Sequence, residues 1–177
     1  MTAANDDLST QAFQADALLF TRTGDRLRIR PVTDADRALL VDFFHHITAE
    51  DRRFRFLTTL KDVADDRIDT ICRADYPAAI SLLAFRDEEL VAVATLAGGE
   101  DGKAEIALST LPQWKARGIS WTLLEHAIRF AREHGATQIV SYEHCDNRAA
   151  IQVEHDMGFG IRLLDAGSGE VVALKSL

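Results

Sequence analysis

Cysteine is scarce in this 177-residue chain, with only Cys72 and Cys145 and no Cys-x-x-Cys spacing. Two thiols are too few for a disulfide framework or a cysteine-rich zinc site. Long apolar runs are missing as well, and none nears the roughly 20 residues that a bilayer-spanning helix needs. The opening residues carry Asp6, Asp7 and Asp16, where a secretory leader has a basic patch followed by an apolar one. No membrane partner is therefore expected, and the cytoplasm is the expected compartment. Positive charge is in deficit, with 20 Lys and Arg against 28 Asp and Glu and a net charge of −8. Nucleic acid is not an expected partner either, because phosphate contacts need clustered cations. There is no internal repeat and no low-complexity linker. The six histidines show no i, i+4 pair with a third ligand, so no metal is expected. The run His144-Cys145-Asp146 suggests a Cys–His nucleophile, but neighbouring residues on a strand point to opposite faces.

What is present is an ordinary core, with 47% hydrophobic and 27% charged residues, in a length that suits one domain. Residues 1–24 are weakly patterned and read as a leader with a short helix around Gln11–Phe20. Residues 25–177 form the domain. Arg26–Pro31 alternates as a strand stopped by proline. Thr33 and the acids after it open a helix bearing Leu39, Leu40, Phe43, Phe44 and Ile47. Thr48 caps a second helix, and a third spans about Asp62 to Arg73. Strands follow at Ala79–Phe85, Glu89–Leu96 and Lys103–Thr110. After Pro112 the period lengthens, with Leu124, Ala127, Ile128 and Ala131 on one stripe of a helix that Gly135 closes. A strand at Gln138–Tyr142, a helix from Asn147 to Asp156 and two strands around Ala166–Gly169 complete the chain. The fold class is α/β in the α+β sense, a mixed and mostly antiparallel sheet flanked by helices.

The chemistry centres on Trp114-Lys115-Ala116-Arg117-Gly118-Ile119-Ser120, between a strand and a long helix. A small-residue turn opening a helix aims free backbone N–H groups at one point, and the helix dipole adds to their pull on an anion such as a pyrophosphate. Gly118 admits a close backbone approach, and Ser120 is small enough not to block it. Neither a Gly-Lys-Ser/Thr P-loop nor G-x-G-x-x-G is present.

This segment resembles the Q/R-x-x-G-x-G/A loop of the GNAT acetyltransferase superfamily, with Lys115, Gly118 and Ser120 at the three marked positions. Lys115 stands for Gln or Arg, and Ser120 for Gly or Ala. Arg28–Asp36 resembles the opening strand and first helix of such domains. Asn147 with Met157-Gly158-Phe159 resembles their late helix. Thr48–Phe56, Asp75-Tyr76, Ala104-Glu105 and Trp114 are similar to bacterial protein lysine acetyltransferases. The resemblance covers about residues 25 to 165.

It implies the GNAT fold and acetyl-CoA as cosubstrate, with acetyl transfer to a protein lysine or a small-molecule amine. It further implies Glu105 as general base. Leu108, Thr110, Lys115, Ala116, Arg117, Gly118, Ile119, Ser120 and Asn147 would contact the cosubstrate, and backbone N–H groups around Leu108–Leu111 would polarise the thioester carbonyl. A bulge in that strand is implied too. Asn147 equally suits a helix N-cap. The family's tyrosine acid is missing, since Glu154 stands at its position; the CoA thiol is acidic enough to leave with help from water, and Tyr142 or Cys145 as a substitute acid is weighed against a packing role for both. A homodimer is left open, as is a catalytically silent acyl-CoA-binding or regulatory module.

Overall fold

Period-two alternation of apolar residues builds one eight-stranded sheet, and the 3.6-residue stripes supply helices to cover it. The computed structural model describes residues 16–57, 63, 65–76, 78–165 and 167–177. Its strands are β1 (Ala17–Phe20), β2 (Arg26–Pro31), β3 (Ile80–Arg86), β4 (Glu89–Gly98), β5 (Lys103–Thr110), β6 (Gln138–His144), β7 (Gly160–Asp165) and β8 (Glu170–Ser176). The helices are α1 (Arg37–His46), α2 (Ala49–Phe56), α3 (Asp65–Ile71), α4 (Ile119–Glu133) and α5 (Arg148–Asp156). Strand order is β1-β2-β3-β4-β5-β6-β8-β7. Every neighbouring pair is antiparallel except β5 with β6. That parallel pair needs a crossover, and α4 provides it.

Each face of the sheet has its own core. On one face Leu123, Ala127 and Ala131 of α4 pack over Leu82, Ala94, Ile106 and Ile139. Val153 and Met157, at the end of α5, join them. On the other face Leu40, Phe43 and Phe44 of α1 and Ile68 and Ile71 of α3 cover Leu83, Phe85 and Val93. Each such fully buried side chain is worth about 1.5–3 kcal/mol over an exposed one. Local signals set the helix ends. The backbone N–H of Asp51 donates to the Thr48 hydroxyl at 3.0 Å, which starts α2, and Gly135 takes φ +91 just beyond α4. At the first helix the Thr33 N–H donates to Asp36 at 2.7 Å, and Arg30 grips the same carboxylate through two nitrogens. No helix among the described residues is long and apolar enough to cross a membrane.

Three sequence expectations change. Residues 17–20 are the edge strand β1 and not part of a helix, because pairing of Ala17–Phe20 with Arg26–Ile29 satisfies their backbone groups; residues 11–15 lie outside the described ones. The third helix is shorter than expected, and Asp62 lies outside the described residues. No bulge interrupts the pairing of β4 with β5, whose register runs unbroken from Ala92↔Thr110 to Gly98↔Ala104. The register shifts fall instead at Ala84/Phe85 and Leu163/Asp165.

Candidate functional site

The parallel strands β5 and β6 stay paired only from Lys103↔Gln138 to Glu105↔Val140. Beyond this they part, leaving the second half of β5 with an open edge. Which backbone groups line the opening follows from antiparallel geometry. Leu111 donates its N–H to Val91 at 2.9 Å, so in the regular register with β4 the odd-numbered residues of β5 bond to β4. Leu108 and Thr110 therefore turn their N–H groups toward the gap. Both were expected to meet a cosubstrate. Of the Leu108–Leu111 stretch expected to polarise a thioester carbonyl, Ser109 and Leu111 drop out, because their N–H groups face β4.

The expected anion loop closes one end of the gap. Ala116 and Gly118 both have positive φ, +59 and +75, and Gly118 is the N-cap of α4. This geometry, with the first-turn N–H groups of Ile119 and Ser120, makes a concave anion nest at a helix N-terminus. Ile119 supplies backbone only, since its side chain is core. The Ser120 hydroxyl lies 3.0 Å from that of Thr110, tying the strand end to the helix start. Gly118 is needed for its φ; a Cβ there would make only ordinary contact, 3.5 Å from the Arg22 nitrogen and the Thr21 Cβ. The β1–β2 turn rests on the loop, with Thr23 donating to the Arg117 carbonyl at 2.8 Å and Arg22 stacked on Trp121 at 3.6 Å. Lys115 does not face a vacant anion site. Its ammonium is 2.5 Å from Asp51 of α2.

Titratable groups stand on both sides of the gap. Glu105 is on the α1–α3 side, in a cleft of about 240 Å³ that Arg55, Phe56, Arg67 and Thr95 also line. On the α4–α5 side are Glu143 of β6 and Glu154 of α5. Asn147 stands at the N-cap position of α5 without a capping bond from its side chain. Its amide donates instead to Glu143 at 2.7 Å. Burial, reinforced by Glu154, pushes the Glu143 carboxyl up to about 8. Burial likewise raises Glu154 to about 7 against a hydrogen bond from Ser141, and Glu154 leaves its Oε2 buried and unpartnered. The Arg55 charge acts on both Glu105 and Glu143, so these groups form one electrostatic cluster across the sheet.

The structure thus brings Glu105, Leu108, Thr110, Ala116, Gly118, Ile119 and Ser120 around one opening, with Arg117 in the same loop. Asn147 acts on that region through Glu143. Sequence reasoning missed Asp51, Arg55, Arg67 and Glu143, because single charged residues on helices and strand ends carry no spacing signal. The expectation of opposite faces does not hold for His144-Cys145-Asp146. β6 ends at His144 and the chain turns, so the three ligand atoms lie within 4.8 Å of one another, with Arg53 at 3.5 Å from Asp146. Tyr142 and Cys145 are exposed, and Trp114 packs against both cores.

The site is thus a gap between parallel strands, closed at one end by an anion nest at a helix N-terminus and flanked by carboxyl groups. The chain belongs to the acetyltransferase (GNAT) family, whose model matches residues 41–159. It is 28% identical over 141 residues to Acetyltransferase PA5475 of Pseudomonas aeruginosa strain PAO1, covering 77% of this chain and 76% of that one. The fold is similar to that of the GNAT domain of S. lividans PAT, with TM-score 0.85 and 24% identity over 92% of this chain and 97% of that one. It is also similar to the PaiA N-acetyltransferase of Thermoplasma acidophilum, solved in complex with coenzyme A. There the TM-score is 0.64 and the identity 18%, over 85% of this chain and 99% of that one.

Proposed function

We propose that this protein is an acetyl-CoA-dependent N-acetyltransferase acting on a primary amine, with a protein lysine as the leading acceptor and a small-molecule amine as the other. The observation that carries the reading is the division of carboxyl groups across the β5–β6 gap, an exposed Glu105 on one face and a half-buried Glu143 with a buried Glu154 on the other. The residues fit the cosubstrate: the nest at Ala116–Ser120 suits a pyrophosphate, and the gap gives a strand-like arm an unpaired edge at Leu108 and Thr110. Acetyl-CoA would supply the thioester whose carbonyl the amine attacks.

The residue roles follow. An ordinary lysine has a pKa of about 10.4, so freeing its amine at neutral pH costs about 4–5 kcal/mol. Glu105, on the acceptor side, takes that proton directly or through a water. N–H groups of Leu108 and Thr110 donate to the oxygen on which charge develops. As the carbon–sulfur bond breaks, the leaving sulfur gains a proton, given by Glu154, whose carboxyl burial raises to about 7. Asn147 and Ser141 hold the Glu143 carboxyl beside it.

Glu105→Gln should lower kcat about 100-fold or more while changing the Kd for acetyl-CoA little. Turnover and calorimetric titration on the same preparation check this, and unchanged turnover would remove Glu105 from the role. One observation favours a second reading, a catalytically silent acyl-CoA-binding module: Lys115 is already spent on Asp51. Such a module would bind acetyl-CoA and release no CoA with any amine.

A further inference from the structure

The acceptor cleft holds an unbalanced charge. Arg55 of α2 and Arg67 of α3 both lie over the ring of Phe56, with guanidinium carbons 5.4 and 5.0 Å from its centroid. Arg55 donates to the Thr95 hydroxyl at 2.9 Å, and its Nε is buried with no acceptor. Among the described residues neither guanidinium forms an ion pair, while Arg30, Arg37 and Arg86 each have an aspartate within 4.0 Å. Two cations sharing one ring in a chain of net charge −8 are a local reversal of sign. Burying an uncompensated charge is costly, and an arriving anion relieves the cost. Burial, with Arg67 adding to it, lowers Arg55 to about 10, so it stays charged at neutral pH. Glu105, which shares this cleft, and Glu143 both act on Arg55, but Glu143 is largely protonated at neutral pH and the Glu105 carboxylate is engaged once an acceptor ammonium docks against it.

We infer that the acceptor carries an anionic group, a carboxylate in the first instance, which Arg55 and Arg67 hold while its amine stands at Glu105. The inference rests on the proposed reading that Glu105 marks the acceptor side. A planar guanidinium fork suits a carboxylate, and Phe56 gives the stem between amine and anion an apolar wall. The complement of the cleft is a zwitterion. A free amino acid supplies one, and so does a lysine with an acidic neighbour in a polypeptide.

Binding of acetylated products to the full-length protein tests this without requiring turnover. N-acetyl-ω-amino acids of graded chain length are titrated against N-acetyl-alkylamines of the same lengths, by calorimetry or NMR shift. At least one length should bind about tenfold tighter with the carboxylate, the size of one charge-assisted contact. Arg67→Ala should remove most of that preference, Arg67→Lys should restore part of it, and Arg67→Glu should turn it toward N-acetyl-diamines. Arg67 is partly exposed, and circular dichroism verifies that each variant folds. A second arm compares acetyl-lysine peptides flanked by Glu with the same peptides flanked by Gln. Preference among peptides alone identifies a polypeptide acceptor, and preference among the short compounds alone a free amino acid. Equal binding with and without the carboxylate in both arms, or a preference that survives Arg67→Ala and Arg55→Lys, overturns the proposal. Release of CoA from acetyl-CoA is measured separately. An anion preference without turnover leaves the cation pair standing and removes the acetyl-transfer reading, whereas turnover without preference does the reverse.

Discussion

At the scale of single residues, the loop before α4 shows how one contact redirects a side chain. Lys115 occupies the place where the resemblance calls for a cation or amide facing a pyrophosphate, yet Asp51 holds it from the neighbouring helix. The aspartate is fixed in turn by Thr48, whose hydroxyl donates to it at 2.8 Å. A diphosphate entering the nest therefore competes with Asp51 for one ammonium. Asp51→Asn removes the competitor and one negative charge near the phosphates, and should tighten acetyl-CoA binding by about 3–10-fold at low salt. Lys115→Ala in the same background should cancel the gain. Calorimetric titration of the two variants checks both statements, and no change with Asp51→Asn would mean that the backbone nest alone holds the anion. Gly118 was readable from sequence, because a turn that opens a helix demands its freedom. The Asp51 partnership was not, since 64 residues separate the two side chains and only packing of α2 beside the loop joins them.

At the scale of elements, the decisive unit is β6 with α5. Parting from β5 after Val140 frees the far end of β6. Its residue Glu143 then meets Glu154 of the following helix. Two carboxyls raised by burial, Glu143 also by repulsion from Glu154, make stability depend on pH in a direction opposite to that of a salt-bridged acid. The unfolded groups titrate near 4.5, and the folded ones near 8 and 7. The folded state therefore binds more protons between these values. The pair costs nothing below about pH 4, where both states are protonated, and destabilises progressively as pH rises from there through 8. Glu154→Gln should raise Tm at pH 8.5, by ~2 kcal/mol in stability, and change it little at pH 5, as thermal melts at the two values will show. In activity assays the same variant should flatten the alkaline limb of the kcat profile, which a purely structural Glu154 would leave unmoved. The element order around this unit was legible from periodicity: β2, β5, α1, α4 and α5 fall close to where the apolar spacing puts them. β1 was misread because a four-residue strand at an edge has too few positions to display a period, and its helix-like composition yielded to pairing with β2.

At the scale of the whole molecule, the amino-terminal segment is integrated with the site. β1 adds an edge strand, and its turn reaches the loop at Gly118 through Thr23 and Arg22. Residues 1–24 read from sequence as a leader to the domain, and we propose that residues 16–24 work as part of it. Deleting 1–24 removes one hydrogen bond to the loop, worth ~1 kcal/mol, and one cation–π contact, worth ~0.5–1 kcal/mol, besides the pairing of β1 and the bonds of Thr21 and Thr23 to Asp25. Stability should fall by at least ~2 kcal/mol, and affinity for acetyl-CoA should fall with it. Denaturant melts and titrations against a deletion of 1–15 assign the effect to the described segment. Equal behaviour of the two truncations would show the turn to be dispensable. By itself, the sequence determined the periods of the elements, the helix starts at Thr33 and Thr48, the glycine before α4 and the family likeness, because each depends on residues near one another along the chain. Only the tertiary structure decided that Glu105, Arg55, Glu143 and Glu154 form one cluster and that Lys115 faces Asp51. Those are contacts between elements far apart in sequence, and it is the parting of β5 from β6 that sets their distances.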